Sequence, residues 1–98
     1  MAAPQHSAQH VVVVDPRLTR LHDRLVSSIE QGHRSILLDV GQVSYADSLL
    51  LGELVQAYVS AIKRGATLKL SNVTSRLREL LRVTKLDRVL VSTDNDRR

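Results

Sequence analysis

Residues 35–55 read SILLDVGQVSYADSLLLGELV, and this stretch decides the fold. Its first part, SILLDV, is an apolar run of strand length that ends before a glycine, which predicts a central β-strand over 35–40. GQVSY follows as a loop. Apolar residues then recur three and four positions apart, so a helix is predicted to begin between Ser44 and Ser48 and to end near Gly65. The stretch therefore predicts a strand, a loop and an amphipathic helix in succession. The residues of that helix predicted to face inward are Leu50, Leu51, Leu54, Val55, Tyr58 and Ile62, and those predicted to face water are Glu53, Gln56, Ser60, Lys63 and Arg64.

The polar residues at the start of this helix predict a cap and a candidate modification site. Either Ser44 caps the helix with Asp47 three residues later, as in a capping box, or Asp47 is itself the N-cap. Both readings put Ser48 in the first turn, where unpaired N–H groups and the helix dipole would stabilise a phosphate. Leu49 projects on the polar side of the helix. We expect it to be exposed, as an apolar contact for a protein, or to tuck under the preceding loop.

The same alternation of strands and helices extends to both sides of this unit. The four valines ending at residue 14 predict a buried strand, and the alternating ATLKLSNV predicts a half-covered one. This order, β-α-β-α-β-α, is typical of a single layered α/β or α+β domain, and α/β with three to four strands flanked by amphipathic helices is the class we predict. The predicted segments are a flexible tail 1–9, a domain 10–92 and a tail 93–98. Within the domain, the predicted strands are 10–14, 35–40 and 66–73. A helix is predicted over 16–31, with Asp15 as its cap and Pro16 as its first residue, another begins at Thr74 or Ser75, and a last strand or docked segment covers 86–91.

Composition excludes several classes of protein. The 98 residues suffice for one small domain, and with only two tyrosines as aromatic residues the core must be aliphatic. There is no cysteine, no apolar run long enough to span a membrane and no secretory signal pattern at the start, so we expect a cytoplasmic protein. The net charge is +4, and bases concentrate between Lys63 and Arg88. Nucleic-acid binding there is a weaker alternative, because stacking platforms are lacking.

The chain lacks the motifs of common catalytic and cofactor sites. Its glycines match neither dinucleotide-binding nor P-loop spacing, and no serine lies in a GxSxG turn. The four histidines, at positions 6, 10, 22 and 33, do not pair with another ligand at a metal-binding spacing. We therefore expect no catalytic residue, no cofactor and no metal ion, and a protein that is not an enzyme.

An ordered set of motifs resembles the STAS family, the sulfate-transporter and anti-sigma-factor-antagonist domains. The matching stretches are SILLDVGQVSYADS at 35–48, GATLKLSNV at 65–73 and RLRELLRVTKLDRVL at 76–90. The resemblance implies a small α/β domain with a mixed sheet, and non-catalytic work through protein binding. In bacterial partner switching, an antagonist of this family binds an anti-sigma factor that is also a serine kinase. Phosphorylation of the antagonist at its D-S motif separates the two and so controls transcription.

The match at the D-S motif departs from the family pattern. The usual phosphoacceptor position is Leu49 here, the following family glycine is Leu50, and the second glycine is kept as Gly52. In stressosome-type relatives the acceptor directly follows the aspartate and large apolar residues come next. That variant makes Ser48 the candidate phosphoacceptor. The other reading is a lost switch that leaves a constitutive binder.

The resemblance implies a partner-binding surface at the start of the second helix and several possible roles for it. The leading prediction is a serine-kinase or anti-sigma-type ATPase as partner. The alternatives are a structural subunit of a lipid-transport ATPase, and a stressosome-like scaffold or homodimer. The predicted contact residues, called the helix-start surface below, are Ser44, Tyr45, Asp47, Ser48, Leu49, Gly52, Glu53 and Gln56, with Ala57 beside them.

Two further departures concern structure. The family turn T-G-L-D is T-K-L-D at 84–87, so Lys85 must adopt the left-handed conformation that glycine favours, or the helix must end differently. The usual first strand pair is compressed into HVVVVDPRL, so a first strand is expected to be missing. That would leave a sheet edge in need of cover by a partner or a second copy.

Overall fold

The computed structural model describes residues 9–91 and contains three strands and four helices within them. The predicted order β-α-β-α-β-α is confirmed, with one short helix added after it. The two predicted tails, apart from Gln9, lie outside the described residues, as does Ser92. The elements are β1 (His10–Val13), α1 (Leu21–Glu30), β2 (Ser35–Asp39), α2 (Ser48–Lys63), β3 (Thr67–Ser71), α3 (Ser75–Val83) and α4 (Asp87–Leu90).

The sheet has the order β1-β2-β3, and both pairs are parallel. The register places Val12 opposite Leu38, and Leu38 opposite Leu70. The α/β class and the three strands are as expected, but the sheet is parallel throughout residues 9–91 rather than mixed. Each connection between these strands contains a helix, and such a crossover returns the chain to the end of the sheet from which it started. Val91 adds a single parallel bridge to Leu70.

One face of the sheet is sealed and the other is only partly covered. Alternate residues of each strand, such as Val12, Leu38 and Leu70, are buried, and α1 and α2 lie side by side on that face. The residues between them are half-buried or exposed, with Val11 50% and Val13 41% accessible. This period-two alternation is typical of a sheet with one solvated face.

The inward face of α2 differs in part from the predicted one. Ser60 was predicted to face water, but it is buried, and its hydroxyl oxygen lies 3.1 Å from His22 Nε2 and accepts a 2.7 Å hydrogen bond from Arg64. Ile62, predicted to face inward, is 48% exposed. The register of the apolar stripe is set by α1, which packs against one flank of α2 and buries that flank. The buried residues of α2 are Leu50, Leu54, Ala57, Ser60 and Ala61.

The first helix begins five residues later than predicted. The carboxylate of Asp15 accepts hydrogen bonds from the backbone of Arg17 and from both the backbone and the hydroxyl of Thr19, so it closes a turn instead of capping a helix. The Thr19 hydroxyl bond is the largest cause that lowers the pKa of Asp15 below its ordinary value. Leu18 and Arg20 then adopt left-handed conformations, and α1 begins only after them.

The end of α3 follows the expected departure from the family turn. Thr74 caps the helix by accepting from Leu77 N at 3.3 Å, and Lys85 adopts the left-handed conformation with φ of 65°. The residues that follow form α4 and the bridge at Val91, in place of a regular strand.

Candidate protein-binding surface

The loops that follow β1, β2 and β3 lie together at one end of the sheet, because the carboxyl ends of parallel strands are adjacent. The Asp39 carboxylate connects two of them, accepting from Gly41 N at 3.0 Å and from Asn72 Nδ2 at 3.0 Å. A Cβ added at Gly41 would lie 3.1 Å from Asn72 Cβ. The loop after β2 is therefore held against the loop after β3, which orients the chain that leads into α2.

Tyr45 fixes the same loop to the other side. Its hydroxyl donates a 2.8 Å hydrogen bond to the carbonyl oxygen of Pro16, and its half-buried ring packs against the core. The hydroxyl is thus already engaged within the chain. Tyr45 is part of the predicted surface, and its observed contacts are those of a residue that positions the loop.

Asp47 is the N-cap of α2. Its carboxylate accepts from Leu50 N at 2.9 Å, and its carbonyl oxygen accepts from Leu51 N at 3.0 Å. The alternative in which Ser44 caps the helix is wrong, since Ser44 lies outside the helix and is exposed. The cap places Ser48 and Leu49 in the first turn, whose N–H groups precede the intrahelical hydrogen bonds.

Ser48 and Leu49 are both exposed at this helix start. Leu49 has 67% of its surface accessible, whereas Leu50, the next residue, is fully buried. Of the two positions predicted for Leu49, the exposed one is therefore observed. A large aliphatic side chain lies beside a free hydroxyl, outside the core.

The remaining predicted residues are placed unevenly. Gly52 and Gln56 are exposed and Glu53 is half-buried. Ala57 is buried with 1% accessibility, so its expected place on the surface is wrong. Its position is one helical turn from Leu54 and Ala61 on the face that packs on the sheet.

Gly52 is not required by the packing of this domain. A Cβ added there would meet no atom within 4 Å, and the residue lies inside a helix, where glycine is unfavourable. We expect Gly52→Ala to raise the free energy of unfolding by about 0.5–1 kcal/mol, measured by urea denaturation. Gly52→Ser is the matched control, with a smaller gain. A loss of stability in Gly52→Ala would show that the helix is held in a conformation that only glycine allows.

An open cavity of about 520 Å³ lies beside the helix start, between the preceding loop and α3. Sequence reasoning missed this neighbour, although one signal was present: Val83 falls off the buried stripe of Leu77 and Leu81, and it is 68% exposed. The lining combines apolar side chains with one base and one acid. The lining residues are Ala46, Ser75, Arg76, Glu79, Leu80 and Val83.

Several basic residues of the C-terminal half are engaged within the domain. Lys69 donates to the carbonyl oxygen of Val89 at 3.0 Å, Arg64 contacts Ser60, and Arg82 pairs with Glu79 at 2.6 Å. Residues 9–91 contain no group of three histidine or acidic side chains that could hold a metal ion. None of the helices in this part of the chain combines the length and apolarity needed to cross a bilayer.

Comparisons with known proteins agree with this architecture. None of the curated proteins compared with the chain matches it significantly. The chain is similar in structure to one titled "NMR Structure of the protein TM1081", with a TM-score of 0.61, 24% identity, and coverage of 82% of this chain and 70% of that one. At that identity the likeness shows the fold. A family model described as "Mlab, STAS domain" matches residues 2–92, and the chain therefore belongs to the STAS domain family.

Proposed function

We propose that this STAS domain is a non-catalytic regulatory module of bacterial signalling that binds a protein partner through the helix-start surface. The observation that carries the proposal is Leu49, which is 67% exposed at the first turn of α2. Exposing an aliphatic side chain costs about 25 cal/mol for each Å² left in water, and a docking protein would recover that free energy. The expected partner is a serine-kinase or anti-sigma-type ATPase, and the expected location is the cytoplasm, where such a kinase finds ATP.

The surroundings of Leu49 support a protein contact. Gly52 leaves room for a partner's backbone to approach the helix, and Gln56 continues the exposed face one turn further on. The cavity beside α3 adds two apolar lining residues, Leu80 and Val83, with the charged side chains of Arg76 and Glu79 among the others. A small apolar centre with a polar border is the usual composition of a specific interface.

Ser48 is the proposed switch of this interface. Its exposed hydroxyl oxygen would attack the γ-phosphorus of ATP held by the kinase, lose its proton and release ADP. The product carries a charge of about −1.5 to −2 beside Leu49. The helix N-terminus stabilises that charge in the free protein, whereas an apolar interface leaves it without a partner.

The test is the binding of a partner isolated with the wild-type protein from its own cells. We expect Ser48→Asp to weaken that binding by about tenfold or more, because an unpaired charge at an interface costs about 2–5 kcal/mol. Isothermal titration calorimetry measures the affinity, and circular dichroism checks the fold. Mass spectrometry of Ser48 from cells tests the modification directly.

Ser48→Ala is the matched control, since it removes the hydroxyl without adding charge and should bind as the wild type does. Equal binding by Ser48→Asp and wild type would remove the switch from the proposal. Loss of binding in Ser48→Ala would instead make the hydroxyl itself a contact.

A permanent contact is the second candidate, and one observation favours it. Leu49 occupies the usual phosphoacceptor position of the family with a side chain that cannot be phosphorylated. The domain would then be a structural subunit, of a lipid-transport ATPase for example. A partner that co-purifies in constant ratio, with Ser48 unmodified, would support this role over the switch.

A further inference from the structure

β1 is an edge strand among residues 9–91, with β2 on one side of it and no described strand on the other. Val14 N donates to Asp39 O at 2.9 Å, so the even-numbered residues of β1 direct their backbone groups toward β2. Because these directions alternate along a strand, the N–H and C=O groups of Val11 and Val13 point toward the free edge. An open edge of this kind can pair with another strand.

Apart from its length of only four residues, the edge lacks the features that usually prevent such pairing. HVVVV contains no lysine, proline or bulge, and Asp15 and Pro16 come only after its end. Val11 and Val13 also expose 50% and 41% of their surfaces on the open face of the sheet. The strand therefore offers both backbone groups and β-branched side chains to a neighbour.

The edge is complementary to itself in one antiparallel register. Suppose that Val12 lies on a twofold axis, opposite Val12 of a second copy. Val11 of the first copy is then opposite Val13 of the second, and Val13 of the first is opposite Val11 of the second. Each such pair exchanges two backbone hydrogen bonds, since both residues direct their N–H and C=O groups outward. Their side chains fall on the same face, where β-branched cross-strand pairs stabilise a sheet.

Open space adjoins the edge on the helical side of the sheet. An open groove of about 550 Å³ runs between β1 and α1, on the side where Val12 faces the core. Its helical wall carries Arg20 and Arg24 with Asp23 between them. The Arg20–Asp23 pair is weak and accessible, at 3.7 Å with side chains 75% and 69% exposed. Each copy carries one base more than acid on this wall, and the pairing of one copy's Arg24 with the other copy's Asp23 would offset part of the resulting repulsion.

We infer that β1 is a self-association surface, at which two copies of this chain pair antiparallel about Val12 to form a continuous sheet of six strands. This inference goes beyond the proposed function, because the edge and groove are built from β1 and α1 and the helix-start surface from α2 and its preceding loop.

Val13→Pro tests the inference in the full-length protein. Proline removes the N–H of Val13, which points to the free edge, and it leaves the hydrogen bonds between β1 and β2 intact. Light scattering after size-exclusion chromatography should show a wild-type mass that rises toward the dimer with concentration and a Val13→Pro mass that stays monomeric. Val13→Thr is the matched control, since it keeps both the N–H and the branched side chain, and it should dimerise. Circular dichroism checks that each variant is folded.

Hydrogen exchange provides a second measurement that does not depend on a substitution. The amides of Val11 and Val13 should become protected as the concentration rises, whereas the Val12 amide, bonded to β2, should be protected at every concentration. A wild-type monomer at all concentrations would overturn the inference. A dimer that persists in Val13→Pro, or that forms without protecting Val11 and Val13, would overturn it as well.

Discussion

Leu54→Ala should destabilise the domain by about 2–5 kcal/mol, whereas the same substitution at Leu49, five residues earlier in α2, should change stability by no more than about 0.5 kcal/mol. Leu54 is fully buried and Leu49 is 67% exposed. Removing the Leu54 side chain leaves a cavity between α2 and the sheet. The cost has two parts: the transfer free energy of the deleted atoms, and the dispersion attraction that the side chains around the cavity no longer have. Leucine and alanine have similar helix propensities, so the backbone contributes little to the difference.

Urea denaturation of both variants measures this pair of effects. A small domain commonly has only about 5–15 kcal/mol of stability, so Leu54→Ala should also lower the melting temperature by about 10 °C or more. Comparable losses in the two variants would show that Leu49 packs inside the domain. That result would remove the exposed leucine on which the proposed function depends.

Leu49→Glu should abolish partner binding while the domain stays folded. An apolar side chain at the centre of an interface commonly contributes about 2 kcal/mol or more, and a carboxylate at the same place adds a desolvation cost. We therefore expect the affinity to fall by at least ~30-fold, measured by isothermal titration calorimetry against the isolated partner. Glutamate is a good helix former, and near a helix N-terminus its charge is favourable, so α2 should be retained.

Val59→Glu is the matched control for this loss of affinity. Val59 is also an exposed aliphatic residue of α2, with 43% accessibility, but it lies nearly three turns further along the helix. Its substitution should leave binding unchanged. Unchanged binding in Leu49→Glu, or an equal loss in Val59→Glu, would place the partner elsewhere on the domain.

The start of α2 shows how far sequence reasoning reaches at the candidate site. The place of Ser48 in the first turn follows from local chemistry and helical period, because a cap and its first turn involve residues close in sequence. The same reasoning left two choices open, which the structure resolves: Asp47 and not Ser44 is the N-cap, and Leu49 is exposed and not tucked under the loop. The cavity beside α3 does not follow from local chemistry or helical period. The cavity exists because the loop before α2 lies close to α3, a helix about thirty residues later in the chain. The spacing of residues in the sequence does not predict how close these two elements are in space.

The helix face of α2 shows a second limit. Ser60 is buried because α1 packs against that flank, with His22 and Arg64 satisfying its hydroxyl, while Ile62 is left exposed on the other side. Hydrophobic period alone cannot predict this, since the apolar residues of α2 extend over more than half of its circumference. The neighbouring helix selects which of them are covered.

By itself, the sequence determined the order of the elements, the aliphatic core and the place of Ser48 in the first turn of α2, because these depend on composition and on short-range spacing. Only the tertiary structure decided that the sheet is parallel throughout the described residues, that Asp15 closes a turn before α1, and that Asp47 and not Ser44 caps α2. Those features depend on contacts between residues far apart in the chain, whose free energy no local pattern records.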